Sequence, residues 1–327
     1  MIAVTGAGGF IGSALVWHLN QLGERDILCV ETHTGDTPFP NLTPLAHRGL
    51  MGHDAFLAQL ESGAWNGELR CVFHLGACSN TTETDEAYLR RNNFDYSRRL
   101  CLAALACNAR FVHAGSAATY GDGSAGYSDE HRTLDRLKPL NPYGWSKHHF
   151  DLWARDEGLL EQIAVLKYFN VYGPNEWHKG AMRSMVCKGY EQIRDTGVVR
   201  LFRSDRPEVP DGGQQRDFVY VKDAVAITQW FQVHPRANGI FNVGTGEANT
   251  WNRLMNAIFA ALDRPSRIEY IDMPAELLGK YQGFTQADIA KLRAAGWTNP
   301  FTPLEDAVRD YVRHHLMTHA QLGATPP

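Results

Sequence analysis

A phenol and an ammonium stand four residues apart in Tyr143-Gly144-Trp145-Ser146-Lys147. On a helix that spacing puts both on one face. A positive charge beside a phenol favours the phenolate, and a tyrosine so tuned can exchange protons with an alcohol or ketone near neutral pH. Ser116, in Gly115-Ser116-Ala117-Ala118-Thr119-Tyr120-Gly121, follows a strand-like run and can bond the same substrate oxygen. An ordinary helix surface can also carry a tyrosine and a lysine at this spacing. The pair acquires meaning only beside a second motif.

That motif is Gly6-Ala7-Gly8-Gly9-Phe10-Ile11-Gly12, directly after a first strand and opening a helix. Glycines are needed where a chain turns tightly, lets its backbone approach a pyrophosphate and packs a helix against a strand. The helix amino end then supplies N–H donors and a positive dipole. Glu31 ends the second strand, where an acid can bond an adenosine ribose. His74-Leu75-Gly76-Ala77, at the end of a later strand, offers a second backbone approach to the same ligand.

These residues need a frame. Ile2–Thr5, Ile27–Glu31, Cys71–Leu75, Arg110–Ala114 and Ala164–Tyr168 read as buried strands. Gly12–Leu22, Glu83–Cys107 and Tyr143–Leu159 between them read as helices. Strand–helix alternation predicts βαβ units and a doubly wound parallel α/β sheet of Rossmann type. Such sheets bind ligands beyond the carboxyl ends of their strands. The pattern loosens after about residue 170. Gly173-Pro174-Asn175 is a turn and Arg203–Gln215 a loop, Gly239–Val243 reads as a strand, and helices follow near Trp251–Leu262 and Pro303–His315. The expected organisation is a dinucleotide-binding domain over 1–170, with 217–245 returning to it. A smaller C-terminal substrate-binding domain takes 171–216 and 246–327. The tail after about Leu316 is expected to fray, with His314, His315 and His319 solvated.

Composition removes other classes. The 327 residues are 44% hydrophobic and 21% charged, with 32 Lys+Arg against 36 Asp+Glu. A formal charge of −4 gives no footprint for nucleic acid. No run of 18 apolar residues predicts a membrane span, and the opening strand has no secretory signal before it. The six cysteines form no CxxC pair and are expected to be free thiols in a reducing cytoplasm. No metal site is expected. Trp145, Trp153, Trp230 and Trp251 read as core or interface, and His113 as a satisfied buried histidine.

Together the glycine loop, Ser116 and the Tyr143–Lys147 pair resemble the extended short-chain dehydrogenases/reductases that modify nucleotide sugars, along essentially the whole chain. Further matches narrow the resemblance to the epimerases of ADP-sugars. They are 74–83, Asn170-Val171-Tyr172-Gly173-Pro174 with His178-Lys179-Gly180, Arg216-Asp217-Phe218-Val219-Tyr220-Val221, and 281–288. The resemblance implies inversion at C6 of an ADP-heptose for lipopolysaccharide, with NADP as cofactor and NAD left open by Glu31 and Pro38. It implies a homo-oligomer, by resemblance a homopentamer. Tyr143, Lys147 and Ser116 would be the triad and Lys179 a second acid/base. Cofactor contacts would come from Gly6, Gly9, Phe10, Ile11, Gly12, Glu31, Thr32, His53, Leu75, Gly76, Ala77, Cys78, Ser79, Asn92, Lys147, Val171 and Lys179. Substrate contacts would come from Asn170, Ala181, Lys188, Phe202, Arg203, Ser204, Asp205, Arg216 and Tyr281. The chain departs from the family pattern at Pro38, His53, Ala181 and Lys188, and Arg48 or His53 would replace the expected basic contact. The alternatives are an epimerase or reductase of another nucleotide sugar, or a non-catalytic dinucleotide sensor. A 4,6-dehydratase fits poorly, because Ala117-Ala118 follow Ser116 where that reaction uses an Asp-Glu pair.

Overall fold

The structure, a computed structural model, describes residues 1–32, 39–274 and 282–324. Its strands are β1 (Ile2–Thr5), β2 (Ile27–Glu31), β3 (Gly49–Gly52), β4 (Cys71–His74), β5 (Arg110–Ser116), β6 (Ala164–Tyr168), β7 (Asn170–Tyr172), β8 (Val199–Phe202), β9 (Gln215–Tyr220), β10 (Gly239–Val243), β11 (Ala248–Thr250) and β12 (Ile268–Ile271). The helices are α1 (Phe10–Gln21), α2 (His53–Glu61), α3 (Glu86–Leu89), α4 (Tyr96–Ala106), α5 (Pro142–Asp156), α6 (Met185–Thr196), α7 (Val221–Val233), α8 (Trp251–Ala261), α9 (Ala290–Ala294) and α10 (Leu304–Tyr311).

Seven strands form one parallel sheet in the order β10-β6-β5-β4-β1-β2-β3. Side chains alternate between its faces, and both faces are buried. Ile2, Val4, Cys29 and Phe73 join one core layer with α1 and α7. Ala3, Leu28, Val72 and Phe111 join the other, with α2, α4 and α5. From β1 the chain runs to β2 and β3 on one side and to β4, β5, β6 and β10 on the other. The crevice between β1 and β4 is therefore the switch point where doubly wound sheets place ligands.

A smaller region holds the three-stranded sheet β11-β9-β7, the pair β12-β8, and α6, α8 and α10. Helix α7 and strand β10 return to the large sheet.

Three readings are corrected. The helix expected over Glu83–Cys107 is interrupted. Asp85 caps α3 by accepting from the Tyr88 N–H at 2.8 Å, and Arg90–Asp95 form a π-helical turn before α4. The widened turn carries Asn93 into the interior. The tail does not fray over 319–323, where Leu322 is 2% exposed. His315 is buried, bonded through Nδ1 with the Ala320 carbonyl. His113 is buried but not satisfied: neither ring nitrogen has a hydrogen-bond partner, and the ring stacks on Phe150 at 4.0 Å. All six cysteines are free, and Trp145 is 40% exposed. Among the described residues no helix is long and apolar enough to cross a membrane.

Candidate active site

The glycine loop turns where β1 ends. Gly6 has φ +66°, and a Cβ there would lie 2.7 Å from the Gly76 Cα, so the β1 and β4 loops touch backbone to backbone. A Cβ on Gly12 would overlap the Gly6 carbonyl oxygen. Helix α1 begins at Gly9 with no side-chain cap, which leaves its first-turn N–H groups for an anion. The Glu31 carboxylate reaches across from the end of β2 and accepts from the Gly8 N–H at 2.6 Å.

Together these loops line a cleft of about 830 Å³ over the switch point. Gly6, Gly9, Phe10, Ile11, Gly12, Glu31, Thr32, His53, Leu75, Gly76, Ala77, Cys78, Ser79, Asn92 and Lys179 all line it. Lys147 and Val171, expected among them, do not. Val171 sits half-buried in β7. A glycine cradle that a Cβ would fill, an uncapped helix end and an acid at the end of β2 fit a dinucleotide.

Beside the cleft stand Ser116, Tyr143 and Lys147. Ser116 ends β5, and its Oγ accepts from the Ala118 N–H at 3.1 Å. Helix α5 starts at a defined point. Pro142 occupies its first position, and Asn141 Oδ1 accepts from the Gly144 N–H at 2.7 Å. A Cβ on Gly144 would meet the Ala118 oxygen at 2.9 Å. Glycine there lets α5 pack against the chain just after Ser116, which brings Tyr143 near the Ser116 side chain. Lys147 is buried one turn on, its Nζ donating to the Ala114 carbonyl at 2.9 Å.

Burial raises the Tyr143 phenol above its ordinary value, and the Ser116 side chain opposes this. Burial, not the direct charge of Lys147, dominates that phenol, which corrects the simple expectation. Burial also pulls Lys147 down to about 8, while the charge of Asp151 pushes it back up. Asp151 is itself buried, 3.1 Å from the buried Lys167. Cys78 lines the cleft, on the loop after β4.

The expected substrate residues are spread over the smaller region. Asn170 in β7 accepts from the Thr285 hydroxyl at 3.4 Å. Ala181 is exposed in the turn Trp177–Met182. Lys188 lies on α6, and its charge helps lower Lys179, whose Nζ sits 5.0 Å over the Phe10 ring. Phe202 ends β8, and Asp205 is exposed. Arg203 and Ser204 close their loop onto Asp211, at 3.1 and 2.9 Å. Arg216 is buried in β9, its guanidinium 5.7 Å over Trp251 and its Nη1 donating to the Gln215 carbonyl. Tyr281 and Pro38 lie outside the described residues. Arg48 does not reach the cleft. It pairs with Asp26 and Glu68 where β2 begins, and Glu31 is where β2 ends.

Several residues that hold the site carry no sequence signal of their own. Asn93 is fully buried behind Cys78. Asp217 is buried and accepts from Thr245, Gly246 and Ala287 backbone N–H groups at 2.8–3.0 Å, tying β9 to two loops. Asn41 donates to the Gly8 carbonyl at 3.2 Å and to the Asn175 carbonyl at 3.0 Å. An aspartate inside the motif at 216–221 was the one available hint.

The pattern of the NAD dependent epimerase/dehydratase family matches residues 2–244. The chain is 54% identical to the ADP-L-glycero-D-manno-heptose-6-epimerase of Nitratidesulfovibrio vulgaris, over 97% of this chain and 98% of that one. It is 42% identical to the enzyme of the same name from Fusobacterium nucleatum, over 97% and 98%. The crystal structure of the Helicobacter pylori ADP-L-glycero-D-manno-heptose-6-epimerase superposes with a TM-score of 0.80 at 26% identity, covering 96% of this chain and 95% of that one. A glycine-cradled cleft at the switch point, a Ser–Tyr–Lys cluster beside it and these matches agree, and the chain belongs to the NAD dependent epimerase/dehydratase family.

Proposed function

We propose that this protein inverts C6 of ADP-D-glycero-D-manno-heptose to give the L-glycero epimer, through a 6-keto sugar, in the supply of heptose for lipopolysaccharide. The observation that carries the substrate is the 54% identity, along nearly the full length, to an enzyme of that name. The cluster of Ser116, Tyr143 and Lys147 next to the dinucleotide cleft supports the reaction type.

The nicotinamide dinucleotide, when bound, supplies the acceptor and donor of hydride. The residues from Gly6 to Gly12 hold its pyrophosphate, Glu31 and Thr32 its adenosine ribose, and Leu75 to Ser79 pass along its length. Tyr143 exchanges the proton of the C6 hydroxyl at its Oη, and Ser116 orients the same oxygen. Lys147 keeps a positive charge beneath the phenol. Arg216 suits the substrate pyrophosphate, because a guanidinium matches phosphate oxygens in pairs. Lys179 serves as a second acid/base.

The resemblance implies NADP. The geometry around Glu31 supports NAD: a carboxylate at the ribose end repels a 2′-phosphate, and Arg48 is engaged elsewhere. A cytoplasmic location and a homopentameric assembly complete the proposal. Incubating the purified protein with ADP-D-glycero-D-manno-heptose, and separately with UDP-hexoses, tests it. Epimer from the ADP-heptose alone is expected. Turnover of a UDP-hexose without turnover of the ADP-heptose overturns the substrate assignment.

A further inference from the structure

The C-terminal segment 319–323 returns to the cleft from the far end of the chain. Gln321 is part of the cleft lining. Leu322 is buried in the same core layer as α1, and its N–H donates to Asn175 Oδ1 at 3.0 Å. Asn175 is 1% exposed with φ +75°. A non-glycine residue holds that backbone only where its surroundings over-determine it. Here they do. Its Nδ2 donates to Ser13 Oγ in the first turn of α1 at 3.0 Å, and its carbonyl accepts from Asn41. Asn41 in turn bonds the Gly8 carbonyl and meets His178 Nδ1 at 3.3 Å. On the other flank Trp177 packs its ring against His319 at 5.3 Å. The segment 175–180, which carries Lys179, is thus gripped from both sides by the tail and tied to the glycine loop.

We propose that residues 319–323 form a strap that completes the wall of the dinucleotide cleft and positions Lys179, with Gln321 a cofactor-contacting residue and Leu322 a positioning residue. The proposal rests on the dinucleotide reading of the cleft. Its logic is the cost of an unmade bond. Without the strap, Asn175 Oδ1 loses its buried donor and the left-handed turn before Lys179 loses a constraint. The strands β1 and β4 and helix α1 also share a core through Ile2, Val4, Leu15 and Phe73, so their exchange reports folding of the sheet separately from the strap.

Three variants test this: Gln321→Ala, Leu322→Ala and a chain ending at Met317. Each is titrated with NADH and NADPH by fluorescence. Amide exchange of 175–180 is followed in parallel by mass spectrometry, with α1 and β4 as internal controls for folding. The expected result is at least tenfold weaker binding of the preferred nucleotide in the Met317 chain, and severalfold weaker binding with Gln321→Ala, which removes no core side chain. Exchange at 175–180 should rise at least tenfold with Leu322→Ala and in the shortened chain, and stay unchanged in β4. Wild-type nucleotide affinity in a shortened chain whose β4 stays protected overturns the strap. Unchanged exchange at 175–180 overturns the positioning role. If the wild-type protein binds neither nucleotide, the dinucleotide reading falls, and the assignment of Gln321 falls with it. The exchange data then decide the positioning role by themselves.

Discussion

Asn93 and Cys78 clasp each other by two hydrogen bonds: the Cys78 N–H donates to Asn93 Oδ1 at 2.8 Å, and Asn93 Nδ2 donates to the Cys78 carbonyl at 3.0 Å. The same Nδ2 also donates to Ser146 Oγ, 3.0 Å away on α5. One buried amide therefore locks the loop after β4 to the helix that carries Tyr143 and Lys147. Asn93→Ala leaves those backbone groups and the serine without their partner. We expect a loss of about 1–3 kcal/mol in urea unfolding, together with weaker dinucleotide binding. Lower stability with unchanged binding would confine Asn93 to the fold.

The contrast with Asn92 marks what a sequence can tell. Asn92 was expected at the cofactor and does line the cleft, but its Nδ2 donates to the Tyr88 carbonyl. The π-helical turn at Arg90–Asp95 brings Asn93 to the interior, and helical periodicity contains no cue for one extra residue in a turn. The glycine loop and the main strands were legible because each obeys a local rule of close approach or alternation. Strand β3 was not, because glycines flank its two apolar residues, Leu50 and Met51, and none of the four is buried. Helix α6 carries Gly189 in its middle, and α7 follows β9 directly with no turn residue or side-chain cap to mark its start. The strap was illegible in kind: its reason is a bond to Asn175, 147 residues earlier.

A pH prediction follows from Lys147. Its folded-state value lies at about 8, below the ordinary 10.5, because burial disfavours the ammonium. Between those values the unfolded chain binds more protons, so this group makes stability rise with pH from about 8 to 10.5, and contributes a constant penalty below that range. The size is on the order of 3 kcal/mol. Urea unfolding at pH 7.5 and pH 10.5 should therefore show a gain for wild type that shrinks in Lys147→Met. Equal pH dependence in both proteins would mean that Lys147 is not strained by burial.

Nucleotide choice is read by titrating NADH and NADPH into protein stripped of cofactor. Glu31 at the ribose end predicts at least tenfold tighter NADH, about 1.4 kcal/mol. Glu31→Gln should narrow that gap by removing the charge that a 2′-phosphate meets. Tighter NADPH in wild type would return the assignment to NADP.

Arg216 offers a test on the substrate side. It is buried on β9 over Trp251, with one guanidinium nitrogen on the Gln215 carbonyl. If it grips a pyrophosphate, Arg216→Ala should raise KM and leave cofactor binding intact. A lost charge-assisted bond is worth roughly 1.5–3 kcal/mol, or about ten- to a hundredfold in KM. An unchanged KM would leave Arg216 as a packing residue beneath Trp251.

Inverting one carbon requires hydride to leave one face and return to the other. A nicotinamide held in the cleft would stay in place, so the C6 group of the sugar would have to turn and carry its oxygen to a second position. In the proposed mechanism Tyr143, beside Ser116, serves one position. Lys179 lines the cleft over Phe10, where burial lowers its ammonium, Glu176 opposes this and Lys188 adds to it. A lysine whose ammonium is lowered gives up its proton more readily than a solvated one, which suits acid/base exchange. Tyr143→Phe and Lys179→Met should each abolish epimerisation while the protein folds and binds its cofactor. An analogue with an aldehyde at C6 can be oxidised in one orientation and reduced in the other. Each single variant should keep part of its dismutation of that analogue, and the double variant should lose it. A Lys179→Met protein that epimerises and dismutates at wild-type rates would sink the second base. Lys179 would then be a binding residue that lines the cleft, and Tyr143 would have to serve both positions of the oxygen.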